Sequence, residues 1–306
     1  MRRRLTPPLH AWAAFTLVAA GAQMLRNAAQ HDLTRRIGAA GATFVRFLFG
    51  FPFALVFLPL VCLAAGELPP TPDGRALVLV AVAAAAQVLA TALMLLAMRE
   101  KSFVIATALT KTEAMQIAGL GLLLQGEAPG LALAAAATCA TAGVMILSLP
   151  GIGLYAPRDE RSTLRAVAWG LASASAFAVA TVSFRDAILA LEGASFVVVA
   201  AEILALGLTA QTLAILAWLV IADRATLLAV AREWRSSLGA GGLGAFATLF
   251  WFFAFALASA ARVRTLGLVE VLFAQIAAHR LFSQRMIMRE AAGVALILAG
   301  VALALR

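Results

Sequence analysis

The sequence predicts an all-α membrane protein whose ten transmembrane helices form two inverted five-helix repeats around a central cavity. Three observations lead to this prediction. The 306 residues are 63% hydrophobic and 13% charged, with a mean hydropathy of +0.96, whereas soluble domains are about 45–50% apolar and about 25% charged. Apolar stretches of membrane-spanning length recur along the whole chain, and residues of the first half recur in order in the second half.

Each apolar stretch has the length of a transmembrane helix. A helix needs about 20 apolar residues to cross the roughly 30 Å hydrocarbon core, whereas barrel strands need only about 10 residues of alternating polarity. The short connections at 99–102 and 259–264 decide the topology, because losing either would change the number of crossings. The predicted spans are 10–29, 37–65, 76–98, 103–124, 130–149, 165–190, 196–221, 238–258, 261–283 and 289–305.

The amino end resembles a secretory signal, because Met1-Arg-Arg-Arg precedes an apolar run and the small residues Ala20-Gly21-Ala22. We expect this segment to be retained. Arg26 follows the small residues closely, and the duplication requires the segment as a structural helix.

An internal duplication explains the ten spans. An offset of 159 residues aligns Gln116-Ile117-Ala118 with Gln275-Ile276-Ala277, and it aligns Arg26-Asn27-Ala28 with Arg185-Asp186-Ala187. The predicted repeats are residues 1–150 and 151–306, joined by the polar loop at 150–163. Because five is an odd number, the second repeat enters the membrane with the opposite orientation, as in many secondary transporters.

The loop charges predict an orientation by the positive-inside rule. The loops after helices 1, 3, 5, 7 and 9 hold more basic residues than the opposite face, which places both termini outside. The richer face carries Arg35, Arg36, Arg99, Lys101, Arg158, Arg161, Arg165, Arg224, Arg232, Arg235, Arg285 and Arg289. The other face carries Arg2, Arg3, Arg4, Arg75, Arg262, Arg264 and Arg306.

Composition also excludes several classes of site. Cys62 and Cys139 lie singly in apolar stretches, and the three histidines are scattered, so we expect no disulfide framework and no metal site. The 24 basic residues punctuate apolar segments without forming a basic run interleaved with aromatic residues, so we expect no nucleic-acid partner. No phosphate-binding loop motif is present, and the glycine-rich segment at 239–244 lacks the strand of a dinucleotide site, so we expect no cofactor.

The chain resembles the drug/metabolite transporter superfamily, EamA type. Helix 2 contains Thr43-Phe-Val-Arg-Phe-Leu-Phe-Gly-Phe-Pro-Phe, with the Arg46-Phe47 pair inside it, and Gly126-Glu127 closes helix 4. Gly293 and Gly300 lie in helix 10. The resemblance implies a secondary transporter of the cytoplasmic membrane, usually an exporter of amino acids or related metabolites, with both termini in the cytoplasm. That orientation disagrees with the charge count.

The sequence departs from the family in helices 4 and 9. The family tends to place a proline there, whereas this chain has Lys111-Thr112 and Glu270-Val271. The departure bears on which substrate the chain takes.

Five ionisable residues fall inside predicted spans: Arg46, Lys111, Glu113, Glu202 and Glu270. Such a side chain costs roughly 2.5–3.5 kcal/mol at mid-bilayer unless it is paired or solvated. The duplication aligns Lys111 with Glu270, and aligning the apolar runs of helices 2 and 7 aligns Arg46 with Glu202. Equivalent positions near a pseudo-two-fold axis face one another, so we predict both ion pairs, either as static locks between the repeats or as substrate-binding or gating groups.

Other polar and aromatic residues complete the candidate site. Glu113 cannot share a helical face with Lys111 and is predicted to stand alone, without a cation. Either Glu113 or Glu202 is the predicted carrier of a coupling proton; the alternative for Glu113 is a hydrogen-bonded acid facing Gln116. Gln116 and Gln275, which the duplication aligns, are candidate substrate ligands. Trp251 or a neighbour lines the cavity, or else packs in the core.

Basic residues near the predicted helix ends have a simpler interpretation. Arg26 and Arg185 are predicted to extend toward the lipid headgroups.

These observations predict a carrier that exports a small metabolite by alternating access and that is embedded in a bacterial inner membrane, with homodimer formation left open. An intramembrane enzyme acting on a lipid-linked substrate and a passive channel are the alternatives. A divalent-metal requirement would indicate the enzyme, and the absence of counterflow would indicate the channel.

Overall fold

A computed structural model describes residues 10–100, 103–125, 130–148, 160–282 and 288–305. These residues form thirteen α-helices and no strand, which confirms the predicted all-α class. The helices are α1 (Ala11–Leu48), α2 (Phe51–Ala65), α3 (Gly74–Glu100), α4 (Phe103–Thr110), α5 (Glu113–Gln125), α6 (Leu131–Ser148), α7 (Glu160–Ala190), α8 (Phe196–Ala222), α9 (Arg224–Arg232), α10 (Trp234–Leu257), α11 (Ala260–Gly267), α12 (Val269–Phe282) and α13 (Met288–Ala304).

Several helices have the length and apolar character of membrane spans. Within the described ranges, five segments qualify: Leu33–Ala65, Gly74–Glu100, Leu164–Ala190, Phe196–Ala222 and Trp234–Leu257. Large apolar side chains are exposed on the outer faces of these segments; Leu63 is 79% exposed and Ile221 is 84% exposed. Such surfaces suit lipid rather than water, because an exposed apolar face gains nothing in water. The protein is therefore membrane-embedded, and the full set of ten crossings stays a prediction.

The first helix reverses direction within its length. Gly38 has φ 74° and ψ 167°, and residues on both sides of it are helical. Gln30 Nε2 donates to the carbonyl of Ala42 at 2.9 Å, although twelve residues of straight helix would separate them by about 18 Å. The chain therefore folds back at Gly38. The loop predicted between residues 30 and 36 is wrong, because those residues continue the helix and a single glycine makes the turn.

Other predicted boundaries also differ from the structure. The tight turn expected at 259–264 is confined to Ala258 and Ser259, because the Ser259 side chain accepts from the amide of Arg262 and caps α11. The span expected to begin at 238 begins at Trp234, preceded by the short helix α9. Residues 101 and 102, Gly126-Glu127 and most of the 150–163 loop lie outside the described residues.

The chain divides into two compact units that interleave along the sequence. The first contains the residues up to Val88 together with Ser183–Ala258, and the second contains Leu89–Val182 together with the residues from Ser259 onward. Each unit has its own apolar core. In the first, Leu33, Val45 and Val230 pack together; the repeats proposed for residues 1–150 and 151–306 are an inference about duplication and stay a prediction.

In the second unit, glycines let α6 and α13 approach closely. A Cβ added at Gly300 would lie 2.6 Å from the carbonyl oxygen of Ala136, and one added at Gly143 would lie 2.6 Å from that of Gly293. Side chains larger than hydrogen do not fit at such distances. Val144 and Ile297 are fully buried between the same two helices, so Gly143, Gly293 and Gly300 form a packing surface.

Candidate functional site

The first unit contains a cavity with a polar wall and an apolar wall. The volume open to water inside it is about 30 Å³, and the space between its lining atoms is about 410 Å³ when the open mouth is counted. It lies among helices of this unit, and residues from α1, α3, α7, α8 and α10 reach it. The polar or charged lining residues are Arg26, Arg46, Gln87, Gln211 and Thr248, and the remaining ones are Phe47, Phe184, Leu204, Gly207, Leu208, Gly244, Ala245 and Phe252.

Two arginines reach the cavity because α1 reverses at Gly38. Arg26 and Arg46 are 20 residues apart, which along one straight helix would be about 30 Å. The reversal places their segments side by side. Arg26 donates from Nη2 to the Asn27 side-chain oxygen at 2.7 Å, and the guanidinium carbon of Arg46 lies 4.3 Å from the centre of the Phe47 ring. Both guanidinium groups are therefore oriented by neighbours on their own segments.

Carboxamides and a backbone contact complete the polar wall. Gln211 donates from Nε2 to Oε1 of Gln87 at 2.6 Å, which joins α8 to α3. Thr212 donates to the carbonyl of Phe47 at 3.0 Å. The wall thus contains two guanidinium groups, the Thr248 hydroxyl and a Gln87–Gln211 amide pair that joins two helices.

Glu202 does not take part in this cavity. The residues of α8 that line it, Leu204, Leu208 and Gln211 among them, share one helical face, and Glu202 lies about 200° before Leu204 around the helix. Glu202 is 7% exposed, and its Oε2 has no hydrogen-bond partner among the described residues. The predicted Arg46–Glu202 ion pair is therefore not formed; aligning apolar runs fixed the wrong register between helices 2 and 7.

Trp251 packs in the core, which was the second of the two predicted alternatives. It is 4% exposed, its indole nitrogen donates to Oε1 of Gln23 at 3.1 Å, and its ring stacks on Phe255 at 6.3 Å. Its neighbour Phe252 lines the cavity instead and lies 5.0 Å from the ring of Phe184. The aromatic residue that faces the cavity is thus one position further along α10.

The second unit contains the predicted Lys111–Glu270 ion pair. The ammonium group of Lys111 contacts Oε1 of Glu270. The Glu270 side chain is 6% exposed and that of Lys111 is 25% exposed, so the pair is shielded on its acidic side. Removing one partner of a buried pair leaves an uncompensated charge, which is strongly destabilising.

Both members of this pair lie at interruptions of helices. Between α4 and α5, the amides of Lys111 and Thr112 donate to carbonyls three residues back, at 3.0 and 3.2 Å. Between α11 and α12, the amide of Leu268 donates to Thr265 O, also three residues back, at 3.3 Å. Tight turns of this kind within a helix often mark hinges. Here they occur without proline.

Glu113 is ion-paired with Arg264, which corrects the prediction that it stands alone. Its Oε1 lies 3.2 Å from Nε of Arg264 on α11 and accepts a hydrogen bond from Thr181 at 2.8 Å. Arg264 in turn donates from Nη2 to the Thr181 oxygen at 3.1 Å. Glu113 therefore belongs to a network with Arg264 and Thr181.

The two predicted glutamine ligands have separate surroundings. Gln116 accepts from Ser175 at 2.6 Å and donates to the hydroxyl of Thr112 at 3.3 Å, so it faces α7 rather than Glu113. Gln275 is partly buried on α12. The candidate residues thus divide between the units: Arg46, Glu202 and Trp251 belong to the first, and Lys111, Glu113, Gln116, Glu270 and Gln275 to the second.

Two arginines that the sequence assigned to the membrane surface take part in these clusters. Arg26 lines the cavity instead of extending to the headgroups, and Arg264, predicted to lie in a loop, pairs with Glu113. For Arg26, a signal was available. Arg26 and Arg46 flank a short polar stretch, and a reversal inside that stretch brings the two side chains together.

Comparisons with known proteins establish a shared fold and no family. No family model matches the sequence, and no curated protein matches it. Among solved structures, 28 chains match. One of them, described only as the crystal structure of a protein, has a TM-score of 0.69 and 16% identity, and the match covers 95% of this chain and 98% of the other. At that identity the likeness shows the fold alone.

Proposed function

We propose that the chain is a secondary transporter that moves a small metabolite across a bacterial cytoplasmic membrane by alternating access. The observation that carries this proposal is the pair of helix interruptions in the second unit. α4 ends at Thr110 and α11 ends at Gly267, 157 residues further on. Interrupted helices at corresponding positions of two repeats are the structural sign of a transport site in such carriers.

The charged groups at the interruptions support the same proposal. Glu113 and Glu270 each lie in the first turn of the helix that follows an interruption. There the helix dipole favours a negative charge. Each carboxylate contacts a basic residue from the other half of the sequence, Arg264 and Lys111 respectively. In the proposed cycle these contacts hold one conformation and separate when the helices move at their breaks.

The cavity of the first unit is the proposed substrate site. It offers hydrogen-bond donors on one wall and aromatic or aliphatic side chains on the other, the usual composition of a small-molecule pocket. Export of amino acids or related metabolites, ten crossings in two inverted repeats and membership of the drug/metabolite transporter superfamily belong to the same proposal.

Glu202 is the proposed proton carrier. Its carboxylate is buried and Oε2 has no hydrogen-bond partner among the described residues. Glu113, in contrast, is held by Arg264 and Thr181. A buried carboxylate without a cation partner is costly in its charged form, so its surroundings favour the uptake of a proton. Glu202 therefore serves antiport with protons, and Glu113 serves structure.

Counterflow in proteoliposomes tests the transport proposal. Vesicles containing the purified protein are loaded with unlabelled amino acids or 2-oxo acids, one at a time, and uptake of the same labelled compound is measured. Transient accumulation above equilibrium identifies a carrier, whereas a channel only equilibrates the label. Arg46→Gln is expected to abolish accumulation. Arg235→Gln is the matched control, because Arg235 is exposed at the start of α10 and stacks on Trp234.

Reporter fusions test the inverted repeat separately. A reporter at the amino terminus and one inserted near residue 160 are expected on opposite sides of the membrane, because five crossings separate them. Finding both on the same side contradicts the duplication while leaving the counterflow result intact.

A further inference from the structure

We propose that protons reach Glu202 along the seam between α2 and α8, entering at the end where α8 begins, and that the Glu67 carboxylate delivers them. The seam is the surface along which these two helices of the first unit pack together. The inference rests on the proposed role of Glu202 as the proton carrier, and it adds the route and a second proton-transfer group.

Glu202 lies behind α2, close to the start of α8. Ser195 precedes it by seven residues, or about two turns, so both lie on one face of the helix, about 10 Å apart along its axis. Further along the same face, Leu213 is 63% exposed, whereas Glu202 is buried. The Cys62 thiol of α2 interacts electrostatically with the Glu202 carboxylate, so α2 covers Glu202. The far end of α8, at Ala222, is about 30 Å away, and the start of α8 is therefore the shorter way to water.

Both helices hold Glu67 at that end. Gly66 follows α2 with φ 66° and turns the chain, and the Glu67 amide donates to the carbonyl of Cys62 at 3.1 Å. Oε2 of Glu67 accepts a hydrogen bond from the Ser195 amide at 2.6 Å, where the dipole of α8 favours a negative charge. The Glu67 carboxylate therefore lies at the face of α8 that carries Glu202, about two turns nearer the helix end.

Polar atoms mark the interval between the two carboxylates. The Cys62 thiol is partly exposed and interacts electrostatically with both Glu67 and Glu202. The Ser195 hydroxyl oxygen and Oε2 of Glu202 are buried, and neither has a hydrogen-bond partner among the described residues. Buried oxygens of this kind bind water well. In the proposed step, Glu67 takes a proton from solution and passes it through water in the seam to Glu202, and Glu67 returns to its carboxylate form.

Aromatic packing makes the other neighbours of this end of α8 apolar. The rings of Phe15 on α1 and Phe253 on α10 each lie 6.2 Å from the ring of Phe196, the first residue of α8. Residues 11–25 and 245–257, which contain these two rings, include no ionisable side chain. The ionisable groups of the two seam helices near Glu202 are thus Cys62 and the Glu67 that follows α2.

The remaining charged groups around α8 belong to other surfaces. Arg26 and Arg46 of α1 line the cavity on the opposite face of α8, and α9, with Arg224 and Arg232, follows the far end of α8. The other titratable or charged residues near the start of α8 lie on α1, α3, α7 or their loops. They are His10, Asp73, Arg75, Arg185, Asp186 and Glu192.

Infrared spectroscopy after a pH jump tests the route without any transport. The purified full-length protein in neutral detergent is stepped to lower pH, and the carboxyl band that Glu202→Gln removes reports protonation of Glu202. Glu67→Gln is expected to slow the appearance of this band about 100-fold, the low end of the effect of a positioned proton-transfer group. The amide still accepts from Ser195 but cannot pass on a proton. Glu192→Gln, in the exposed loop before α8, is the matched control and should leave the rate unchanged.

Cys62 provides a second readout that needs no change at Glu67. Its S–H stretching band is expected to change at the same rate as the Glu202 carboxyl band, because the two groups interact. A benzyl group attached to Cys62 through a disulfide, in protein carrying Cys139→Ala, should fill the seam and slow protonation of Glu202. Removing the group with dithiothreitol should restore the rate.

The outcomes separate this inference from the transport proposal. Protonation of Glu202 at the wild-type rate in Glu67→Gln overturns the inference, as does a Cys62 band that stays constant. If Glu67→Gln fails to fold, the Cys62 band decides. Delayed protonation in Glu67→Gln without counterflow in the wild type supports the route and rejects transport. Counterflow that depends on a pH gradient, together with undelayed protonation in Glu67→Gln, rejects the route and leaves transport intact.

Discussion

Glu113 and Glu270 lie 157 residues apart, each in the first turn after a helix interruption, and each contacts a basic residue from the other half of the sequence. The cations are not equivalent in the same way, because Lys111 lies in the break itself and Arg264 lies within α11. The two acidic residues therefore occupy the same position relative to a helix break, whereas their basic partners do not. Such reciprocal contacts tie α11 and α12 to α4 and α5.

The Lys111–Glu270 pair predicts a large cost for removing one charge. Lys111→Met leaves Glu270, whose side chain is 6% exposed, without its cation, and we expect unfolding free energy to fall by about 3 kcal/mol. Lys111→Met combined with Glu270→Met removes both charges and is expected to recover most of that loss. Unfolding by SDS, followed by tryptophan fluorescence, measures both variants.

The exposed Arg36–Glu233 pair is the control for these substitutions. Its side chains are 50% and 32% exposed at a distance of 3.3 Å, so Arg36→Met should cost less than about 1 kcal/mol. If the double variant is no more stable than Lys111→Met, the two charges do not compensate each other in the folded protein.

Proton coupling is predicted to depend on Glu202 and not on Glu113. Glu202→Gln is expected to abolish the dependence of counterflow on the pH gradient, since an amide cannot take up the proton. Glu113→Gln keeps an acceptor for Thr181 and is expected to preserve that dependence. Transport driven by an imposed pH gradient measures both. Loss of coupling in Glu113→Gln alone would reverse the assignment.

The sequence predicted the all-α membrane class because hydropathy depends on composition, which does not require knowing how the helices align with one another. It also predicted the Lys111–Glu270 contact, although through an offset of 159 residues that differs from the 157 residues separating the two helix breaks. The contact joins two residues that lie at or next to helix breaks, and the duplication from which it was predicted stays a prediction. The Arg46–Glu202 prediction failed because a small error of register moves a side chain to another face of its helix.

The cavity could not be predicted from the sequence, for a different reason. Residues 30–36 are polar enough to suggest a loop, but the helix continues and Gly38 makes the reversal with one residue of positive φ. The polar stretch predicted a reversal at 30–36, and the structure places it at Gly38 instead. Without the reversal, Arg26 lies near a helix end and Arg46 within a span, and their meeting at one cavity depends on how the two segments pack.

Gly38 predicts a strain penalty for any larger residue. Its φ of 74° and ψ of 167° lie in a region that only glycine populates readily. Gly38→Ala is expected to lower stability by about 1–3 kcal/mol, measured by thermal unfolding in detergent. Gly21→Ala in the same helix is the control, because a Cβ there meets no atom within 4 Å. That variant should be neutral or gain up to about 1 kcal/mol.

Gly300 predicts a steric penalty at the α6–α13 contact. A Cβ there would lie 2.6 Å from the carbonyl of Ala136 and 2.7 Å from the amide of Ala140. Gly300→Ala must therefore shift backbone, at an expected cost of about 1–3 kcal/mol. Gly119→Ala, in the same unit with no atom within 4 Å of the added Cβ, should not destabilise. Equal unfolding midpoints for the two variants would contradict the close approach.

Asp223 follows the long span of α8 and caps α9, and we expect this cap to be lost in acid. Its carboxylate accepts hydrogen bonds from the hydroxyl of Thr226 at 2.6 Å and from its amide at 3.0 Å. These bonds favour the charged form and hold the pKa of Asp223 below its ordinary value of 3.8. The folded state then binds fewer protons than the unfolded state, so the stabilisation is complete above pH 3.8 and is lost as the pH falls through the lower folded pKa.

Hydrogen exchange of the α9 peptide measures this loss against Asp223→Asn. Asparagine caps helices well but does not titrate, so the variant's exchange should show only the intrinsic effect of pH. We expect the ratio of wild-type to variant exchange to rise as the pH falls below 3.8 and to stay constant above it. A ratio that is constant over the whole range would mean that the Thr226 contacts do not depend on the charge of Asp223.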